Sequence, residues 1–277
     1  MANIALLEHT LVVVSEITHV PVYDFDFELH FRCTHPQDFG NERACVLRIG
    51  AIRNYDCEFR EKAKWGLRLV NSPEQHLSAS ELESWYPILA DLTPRTRIFA
   101  ELPTRDEIEA LFTWPVFLKG SRQTSQHNPA LSVITTAAQY EQVSERYKSD
   151  PILHWQHPVI REFVPLEPVM GEVPGKIMPS LEFRSFWWKG MCVGWGQYWY
   201  QVPRYAAKDI DSGLALAENV AKRLQVPFLV VDFARTLDGR WILIECNDAQ
   251  ESGYAAIHPA SLWRNILQQI GAEDKII

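Results

Sequence analysis

The sequence lacks the signatures of several large classes of protein. It has five cysteines among 277 residues and no Cys-x-x-Cys pair, so we expect neither a disulfide framework nor a zinc site. No apolar run approaches the roughly 20 residues that a membrane-spanning helix requires. The first residues include acidic Glu8 and no basic stretch, so we expect no signal peptide. Free thiols fit a reducing cytoplasm, which is the predicted location.

Positive charge is also in short supply. Lysine and arginine number 27 against 35 aspartate and glutamate residues, which gives a formal net charge of -8. Because a surface for nucleic acid or anionic lipid needs a basic face, we expect neither nucleic acid nor a membrane as a partner. A local basic pocket for a small anion remains compatible with this composition. No Walker A, Gly-x-Gly-x-x-Gly or Gly-x-Ser-x-Gly motif occurs, and the sequence predicts no oligomeric state.

What the sequence does contain is a pattern of short apolar runs that predicts an α+β fold in two parts. Hydrophobic residues make up 47% of the chain, which is enough for a sizeable core. Residues 1–98 are predicted to form a small α/β domain, with strands over 4–14 and 44–52 and a helix opened by a capping box at Ser80. In residues 99–277 antiparallel hairpins alternate with helices, which favours α+β packing over a doubly wound sheet.

The second part also contains a long polar segment. Residues 121–129 have no apolar periodicity, and loops of this length often close over a site. The other predicted elements are a helix capped by Thr104, a strand over 114–118, a helix capped by Thr136, a strand over 158–164, a hairpin over 180–200 turning at Lys189-Gly190, an amphipathic helix over 214–224, a second hairpin over 229–247 and a helix begun by Pro259.

The second hairpin carries the strongest chemical signal. A two-residue turn at Asp238-Gly239 would place Asp232 directly opposite Glu245, with Asn247 on the same face. Two carboxylates about 5 Å apart across a ladder repel each other, so a cation between them is favoured. Carboxylate and amide oxygens are ligands that suit Mg²⁺.

The alternative for this hairpin is a pair of surface acids neutralised by arginine. The predicted register turns Arg235 and Arg240 to the opposite face, which disfavours them as partners, while arginines on other strands remain open. A three-residue loop would shift the pairing and weaken the argument for a metal site.

Two upstream cations are candidates for binding phosphate. Lys119 ends a strand just before Gly120 and the polar loop, where its ammonium can neutralise phosphate while loop amides surround the oxygens. The alternative is a solvated lysine at a strand end. Arg184 shares a strand face with Glu182 and can fork onto phosphate or carboxylate, although an ordinary cross-strand ion pair is the commoner arrangement.

The strand over 158–164 is a candidate for binding a nucleotide base. It must leave its sheet at Pro165, because proline cannot donate to a ladder, and this frees backbone groups of Glu162, Phe163 and Val164 for an adenine edge. Glu167, just beyond, has the chemistry to accept hydrogen bonds from ribose. The alternative is an edge strand with exposed acids.

Taken in this order, the segments resemble the ATP-grasp superfamily of carboxylate–amine ligases. The likeness is best over residues 104–269, and the ending around Asp232 with Glu245-Cys246-Asn247 is its most specific part. It looks most like a small bacterial and phage-associated branch. Residues 1–98 resemble, more loosely, the domain that precedes the ATP-grasp fold. The polar loop departs from the family pattern, since it has basic Arg122 where many family loops are rich in glycine.

The resemblance implies ATP held between two α+β subdomains, with Mg²⁺ as the metal. It implies metal binding by Asp232, Glu245 and Asn247, and phosphate binding and catalysis by Lys119 and Arg184. It also implies an adenine site and a ribose contact, formed by Glu162, Phe163, Val164 and Glu167. Lys176 is the candidate for the additional lysine that many members use.

The implied reaction is an ADP-forming ligation that passes through an acylphosphate. The implied partners are a small-molecule or peptide carboxylate, for example an amino acid, and an amine. Four arginines of the N-terminal part are candidates for binding the carboxylate, namely Arg32, Arg43, Arg48 and Arg53. Two alternatives stay open: ATP-dependent phosphoryl transfer without ligation, and a nucleotide-binding protein without catalysis.

Overall fold

A computed structural model describes residues 3–36, 39, 42–50, 52, 54–122, 129–151 and 153–273. Over these residues the chain forms three mixed or antiparallel sheets with helices between them, so the predicted α+β class is confirmed. None of the helices in this described part combines the length and apolarity that a membrane span needs.

The N-terminal sheet has five strands in the order β3-β1-β2-β4-β5. Residues 4–14, predicted as one strand, form a hairpin instead, because Glu8 and His9 have φ of 44° and 60° and reverse the chain. Helix α1 connects the parallel strands β4 and β5. The elements are β1 (Asn3–Leu7), β2 (Leu11–Ser15), β3 (Cys33–Thr34), β4 (Arg43–Arg48), α1 (Tyr55–Ala63) and β5 (Leu67–Leu69).

Two helices, α2 (Pro73–Ser80) and α3 (Leu82–Leu89), follow this sheet. The predicted cap at Ser80 is wrong, because Ser80 ends α2 and its hydroxyl accepts a hydrogen bond from the backbone N–H of Asp248 at 3.2 Å. The capping box lies instead at Ser72 and Gln75, at the start of α2. Sequence periodicity does not show that two short helices adjoin here with no loop between them.

The second sheet has the order β6-β9-β7-β8. Helices on one of its faces bury a core that includes Leu118 and Ile160, while Phe117, Lys119 and Arg161 alternate onto the other face. The predicted helix caps Thr104 and Thr136 are confirmed. The elements are β6 (Thr96–Ile98), α4 (Arg105–Glu109), β7 (Val116–Gly120), α5 (Pro129–Ser132), β8 (Val133–Ile134), α6 (Ala137–Ser149) and β9 (Pro158–Glu162).

The third sheet has the order β11-β10-β12-β13. Helix α7 covers one face, and helix α8 packs on the other together with residues of β1 and β2. The predicted hairpin turn at Lys189-Gly190 is confirmed, with φ of 47° and 82° at the two positions. The elements are β10 (Glu182–Trp188), β11 (Met191–Gln197), α7 (Ile210–Leu224), β12 (Phe228–Arg235), β13 (Trp241–Asp248) and α8 (Pro259–Glu273).

The first and second halves of the chain are closely joined. Strand β6, on the N-terminal side of the predicted boundary between residues 98 and 99, pairs with β9 of the second sheet. Leu82 and Trp85 of α3 share a core with β12 and α7. The division into 1–98 and 99–277 stays a prediction, and the packing brings both parts to one site.

Candidate functional site

The two acids of the second hairpin do lie opposite each other, although the turn differs from the predicted one. The chain turns through three residues, Leu237 to Gly239, because Thr236 pairs with Arg240 through a 2.8 Å backbone bond. This places Arg235 opposite Trp241, so the predicted two-residue turn is wrong.

A β-bulge restores the predicted pairing further along the hairpin. The register shifts between Asp232 and Phe233, so that Ile244 is an extra residue on β13. Beyond it Asp232 pairs with Glu245 and Val230 pairs with Asn247, as the sequence predicts. The bulge therefore cancels the shift that the longer loop introduces.

Asp232 is neutralised by an arginine from the neighbouring strand. Arg184 lies opposite Asp232 across β10 and β12 and donates two hydrogen bonds to its carboxylate, at 2.8 and 2.7 Å. Asp232 is 1% exposed. Burial alone would lower the pKa of Arg184, but the adjacent carboxylate raises it above its ordinary value. The cross-strand ion pair considered for Arg184 is therefore present.

Glu245 is neutralised from the other sheet. The Nζ of Lys119, on β7, lies 2.5 Å from Oε1 of Glu245, and Lys119 is 3% exposed. Burial lowers the pKa of the Lys119 ammonium, and Glu245 offsets part of that shift. Neither arginine of this hairpin takes this place, as the predicted register implied: Arg235 binds Glu167 and Asp209, and Arg240 binds Asp238. Both acids thus have cationic partners from other strands.

Arg161, on β9, is a site residue that the sequence analysis missed. Its Nη1 donates to the carbonyl of the bulged Ile244 at 2.8 Å, and its Nε donates to Oγ1 of Thr96 at 3.0 Å. Its Nη2 is buried and has no hydrogen-bond partner in the described part of the chain. Strand alternation was the available signal, because it turns Arg161 away from the buried Ile160 and onto the face that carries Lys119.

The bulge itself is held by groups from distant parts of the chain. The Thr93 hydroxyl donates to the carbonyl of Leu243 at 2.9 Å, and the N–H of Leu243 donates to the carbonyl of Leu92 at 2.8 Å. With the bond from Arg161 to Ile244, these contacts fix the edge of β13 just before Glu245. Segments 92–96 and 158–162 are therefore attached to β13 at the two residues that precede Glu245.

Glu182 is a third acid on this face of the sheet, and it is buried like Asp232. Burial and the nearby Asp232 charge raise the pKa of its carboxyl to about 8, so the group is largely protonated near pH 7. The indole N–H of Trp199 donates to its Oε2 at 3.2 Å. We call Lys119, Arg161, Glu182, Arg184, Asp232 and Glu245 the charged cluster.

A cavity of about 460 Å³ opens between the second and third sheets, within the usual range of small-molecule sites. Four members of the charged cluster line it, and the predicted residues Glu162, Phe163 and Val164 line it as well. Apolar side chains form the rest of its surface. We call five of these the apolar wall: Phe163, Val164, Met178, Ile242 and Ile244.

The predicted site residues outside this cavity fall into two groups. Arg184, Asp232 and half-buried Asn247 lie on the same sheet face, next to Glu245 in the ladder. Glu167 is directed elsewhere, since its carboxylate lies 2.5 Å from Nη1 of Arg235. Lys176 does not line the cavity, although its neighbour Ile177 does. The predicted loop over the phosphates lies mainly in residues 123–128, outside the described residues.

The carboxylate and amide oxygens on this face are ligands that suit a hard divalent cation. Asp232 and Glu245 face each other, and Asn247 adds an amide oxygen two residues along the same strand. The described residues contain no group of three or more acidic, histidine or cysteine side chains that would enclose a metal. A cation held here would keep several coordination positions for phosphate or water, which is how Mg²⁺ sits in nucleotide sites.

Solved structures of similar fold share little sequence with this chain. A RimK-domain ATP-grasp protein from Sphaerobacter thermophilus DSM 20745 has 17% identity and a TM-score of 0.54, over 76% of this chain and 73% of that one. D-alanine–D-alanine ligase from Bacillus anthracis, complexed with ATP, has 13% identity and a TM-score of 0.56, over 84% and 80%. N5-carboxyaminoimidazole ribonucleotide synthetase from Thermotoga maritima has 13% identity and a TM-score of 0.50, over 73% and 51%.

These likenesses establish the ATP-grasp fold that the motifs predicted. No curated protein matches the sequence significantly. A family model of an ATP-grasp domain, the third family of one clade of the superfamily, matches residues 72–266, which is more than half of the chain. The match includes α2 and α3, which precede the predicted boundary at residue 98. The chain therefore belongs to the ATP-grasp superfamily, in the clade and family that this model describes.

Proposed function

We propose that this protein is an ATP-dependent carboxylate–amine ligase that acts through an acylphosphate. The observation that carries the proposal is one cavity between two sheets in which four members of the charged cluster, Lys119, Arg161, Glu182 and Glu245, lie beside the apolar wall. A nucleotide needs both surfaces, since its base is flat and weakly polar and its phosphates are strongly anionic. Membership of the family and the likeness to ligases of the same fold support the assignment.

The adenine is placed against the apolar wall. Phe163 and Val164 follow the end of β9, and in the described part of the chain their backbone groups make no hydrogen bond. They are thus free to bind the polar edge of a base while Met178 packs on its face. Glu162 lines the same part of the cavity, next to Phe163. A ribose contact by Glu167 would require its ion pair with Arg235 to open, so Glu167 is the weakest member of the proposed site.

The phosphates are placed at the charged cluster. Lys119 and Arg161 bring two cations to the cavity, and Arg184 adds a third beside Asp232 on the adjoining sheet face. The Nη2 of Arg161 has no hydrogen-bond partner among the described residues, so a phosphate oxygen that reached it would satisfy a buried donor. Asp232, Glu245 and Asn247 would hold Mg²⁺, which supplies charge neutralisation at the phosphates when bound. Because Lys119 now pairs with Glu245, we expect the ammonium to move to phosphate as the carboxylate takes up the metal.

The proposed reaction has two steps. A carboxylate oxygen of the first substrate attacks the γ-phosphorus, the bond to the β-phosphate oxygen breaks, and ADP leaves. The amine nitrogen of the second substrate then attacks the acyl carbon, the carbon–oxygen bond to phosphate breaks, and phosphate leaves with the proton that the nitrogen gives up. Charge builds on phosphoryl oxygens in the first step and on the acyl oxygen in the second, and Arg184 is the fixed donor placed to stabilise it.

The test is a screen for ADP release with Mg²⁺, using amino acids and short peptides alone and in pairs, followed by mass spectrometry. We expect release to require a carboxylate and an amine together, with a product that has lost one water relative to their sum. A phosphorylated product would indicate phosphoryl transfer without ligation. ATP binding without turnover under any pairing would contradict the ligase assignment.

A further inference from the structure

His76, on α2, is a buried histidine that does not line the cavity and has no part in the proposed reaction. It is 3% exposed, and its ring stacks on the ring of Tyr55 with 4.2 Å between the centroids and 5° between the planes. Its Nδ1 lies 3.0 Å from Oδ2 of Asp248, and its Nε2 lies 3.2 Å from Nη2 of Arg122. We call Arg122, His76 and Asp248 the histidine bridge.

The two contacts of the His76 ring fix which nitrogen carries the proton. An aspartate carboxylate only accepts hydrogen bonds, and a guanidinium only donates them. The proton therefore lies on Nδ1, which donates to Asp248, and Nε2 accepts from Arg122. Since a doubly protonated ring has no acceptor for Arg122, the neutral ring is the form that makes both bonds.

The Asp248 end of the bridge is held firmly. Asp248 is the last residue of β13, directly after the proposed metal ligand Asn247, and it is fully buried. Its carboxylate also accepts from the backbone and side-chain N–H groups of Gln250, at 2.9 and 3.3 Å. Its own N–H donates to the hydroxyl of Ser80 at 3.2 Å. His76 is thus bonded to a fixed point on the strand that carries the proposed metal ligands.

The N-terminal sheet holds the segment that follows Asp248. The side chain of Gln250 donates to the hydroxyl of Tyr55 at 2.7 Å, beneath the stacked ring of His76. Arg48 is one of the arginines predicted to bind a substrate carboxylate, and in this structure it binds the segment. Its Nη1 donates to three backbone carbonyls, those of Ala249, Gln250 and Ser252, at 2.8, 3.0 and 2.8 Å. Arg53, another of the predicted arginines, lies outside the described residues.

The Arg122 end of the bridge belongs to the second sheet. Arg122 lies two residues after the end of β7 and three residues after Lys119. Its backbone N–H donates to Oε1 of Gln156 at 2.8 Å, and its Nε lies 3.0 Å from Oε1 of Glu81. The preceding carbonyl, of Ser121, accepts from the N–H of Leu82 at 3.3 Å. The histidine bridge therefore joins the end of β7 to the end of β13.

This connection between the two sheets lies beside the direct contact of Lys119 with Glu245. The proposed binding of Mg²⁺ and phosphate breaks that direct contact, because the ammonium moves to phosphate and the carboxylate to the metal. Neither of the two hydrogen bonds of His76 involves a proposed ligand of the metal or of phosphate. The bridge can therefore persist, and it keeps β7 and β13 at a fixed spacing while Lys119 and Glu245 bind the same metal–phosphate unit.

We propose that His76 is a positioning residue for the nucleotide site, which acts by holding the end of β7 against the end of β13. It sets the spacing between Lys119 and Glu245 without contacting the nucleotide. Loss of a group that orients a metal ligand typically lowers affinity by about tenfold or more. The proposal rests on the nucleotide site of the proposed function, but not on ligation, because ADP binding needs no second substrate.

The experiment is a double-mutant cycle on the full chain, with isothermal titration of ADP in the presence of Mg²⁺ as the readout. His76→Asn keeps an N–H donor near the place of Nδ1 and removes the acceptor for Arg122, so it breaks the bridge at one bond. We expect the affinity for ADP to fall by about tenfold. In a Lys119→Ala background the same substitution should lower the affinity by less than about threefold, because the group that the bridge positions is gone. Equal losses in the two backgrounds, or an unchanged affinity in His76→Asn alone, would overturn the proposal.

Two further variants separate positioning from a general loss of stability. His76→Gln keeps an acceptor near the place of Nε2 and removes the donor to Asp248, so it breaks the bridge at its other bond and should weaken ADP binding by a similar factor. It also carries the test if His76→Asn does not fold. Tyr140→Phe removes a buried hydroxyl bond to the carbonyl of Pro103, within the core of the second sheet, and should lower Tm but leave ADP affinity unchanged. A loss of affinity in Tyr140→Phe equal to that in the His76 variants would overturn the proposal.

The outcomes of this experiment and of the screen for ligation are distinguishable. The expected cycle in ADP binding, with no ADP release from any substrate pair, would refute ligation and support the role of His76. Ligation by a protein whose His76 variants bind ADP like the wild type would refute the role of His76 and support ligation. Failure of the wild type to bind ADP with Mg²⁺ would overturn both.

Discussion

Two cavities among the described residues of this chain differ in how their charged side chains are balanced. In the charged cluster each ionised acid has a cation at contact distance, Asp232 with Arg184 and Glu245 with Lys119, and Glu182 is kept protonated by burial. A second cavity, which we call the acidic cavity, has Glu16, Asp24, Asp26, Glu28 and Arg48 among its lining residues. The hydrogen bonds of Asp24 and Asp26 come from neutral groups, and Glu28 lies 3.3 Å from Nε2 of His35 at the surface. The difference teaches that the first site is internally neutralised by buried ion pairs, while these three acids of the second have neutral or surface partners.

Internal neutralisation has a consequence for ligand binding. A buried ion pair tolerates the loss of one partner poorly, because the other charge is then left in a medium of low polarity. When a metal ion and a phosphate bind, the metal ion can take the place of the cation beside each acid, and phosphate can take the place of the acid beside each cation. No buried charge is then left without a partner. Substitutions in the charged cluster should therefore affect activity and stability together, whereas those at the exposed acids Asp26 and Glu28 should change stability little. The following predictions test this contrast, from the largest expected effect to the smallest.

Glu245→Gln should have the largest effect. It removes one of two carboxylates available to Mg²⁺ and the partner of Lys119, so we expect Mg²⁺-dependent ADP release to fall by at least about a hundredfold. The fold should persist, because glutamine has the same shape and can still accept from Lys119. Turnover and circular dichroism are the measurements, and Glu218→Gln on α7, whose ion pair with Lys222 is partly exposed, is the matched control. Turnover equal to wild type would remove Glu245 from the site.

Lys119→Ala should come next. The ammonium is buried against Glu245 and is one of two cations that the second sheet brings to the cavity, so we expect ADP affinity to fall by about ten- to a hundredfold. Isothermal titration with ADP and Mg²⁺ measures the change. Lys222→Ala, at an exposed lysine, is the control. An affinity within twofold of wild type would place the phosphates elsewhere in the cavity.

The pKa of Glu182 gives a stability prediction with a defined sign. The carboxyl titrates near 4.5 in the unfolded chain and near 8 in the folded one, so between these values the unfolded state releases a proton that the folded state keeps. The free energy of unfolding of the wild type should therefore fall as pH rises through this window. Glu182→Gln, which cannot ionise, should not show this part of the decline.

The measurement is the difference in unfolding free energy between Glu182→Gln and wild type, from pH 5 to pH 8 in EDTA. We expect this difference to grow in favour of the variant by about 2–4 kcal/mol between pH 5 and pH 7.5. Chemical denaturation at each pH supplies it, with Glu218→Gln as the comparison. A difference that does not change with pH would show that Glu182 is not a buried neutral acid, which would weaken the contrast between the two cavities.

Local sequence signals predicted the parts of this site that depend on neighbouring residues. Three local predictions are confirmed: the caps at Thr104 and Thr136 and the turn at Lys189-Gly190. Each of these features depends on contacts within four residues, which the sequence shows directly. The facing of Asp232 and Glu245 was also predicted, but through a turn that the chain does not make. That prediction held only because the bulge compensates.

The residues that the sequence analysis missed depend on distant contacts. The bulge at Ile244 is held by Arg161 and Thr93, which lie 83 and 151 positions earlier in the chain, so no window around the hairpin reveals it. The partner of Asp232 was equally hidden, since Arg184 reaches it only through the pairing of β10 with β12. Alternation within β9 was a local signal for Arg161, but nothing in that strand marks its inner face as part of a site.

Thr93→Val tests whether the bulge positions Glu245 and should have the smallest effect. Thr93 is buried outside the cavity, and its hydroxyl donates to Leu243 two residues before Glu245. Valine keeps the shape and removes one neutral hydrogen bond, so we expect a loss of about 1 kcal/mol in unfolding free energy.

If the bulge positions the metal ligand, the concentration of Mg²⁺ that half-saturates ADP release should also rise, by less than about tenfold. Thr10→Val, which removes a hydroxyl bond at an exposed turn of the N-terminal sheet, is the control for a general loss of one bond. A Mg²⁺ requirement that stays fixed while stability falls would mean that Glu245 is placed by its own hairpin, and that the contact from Thr93 serves packing alone.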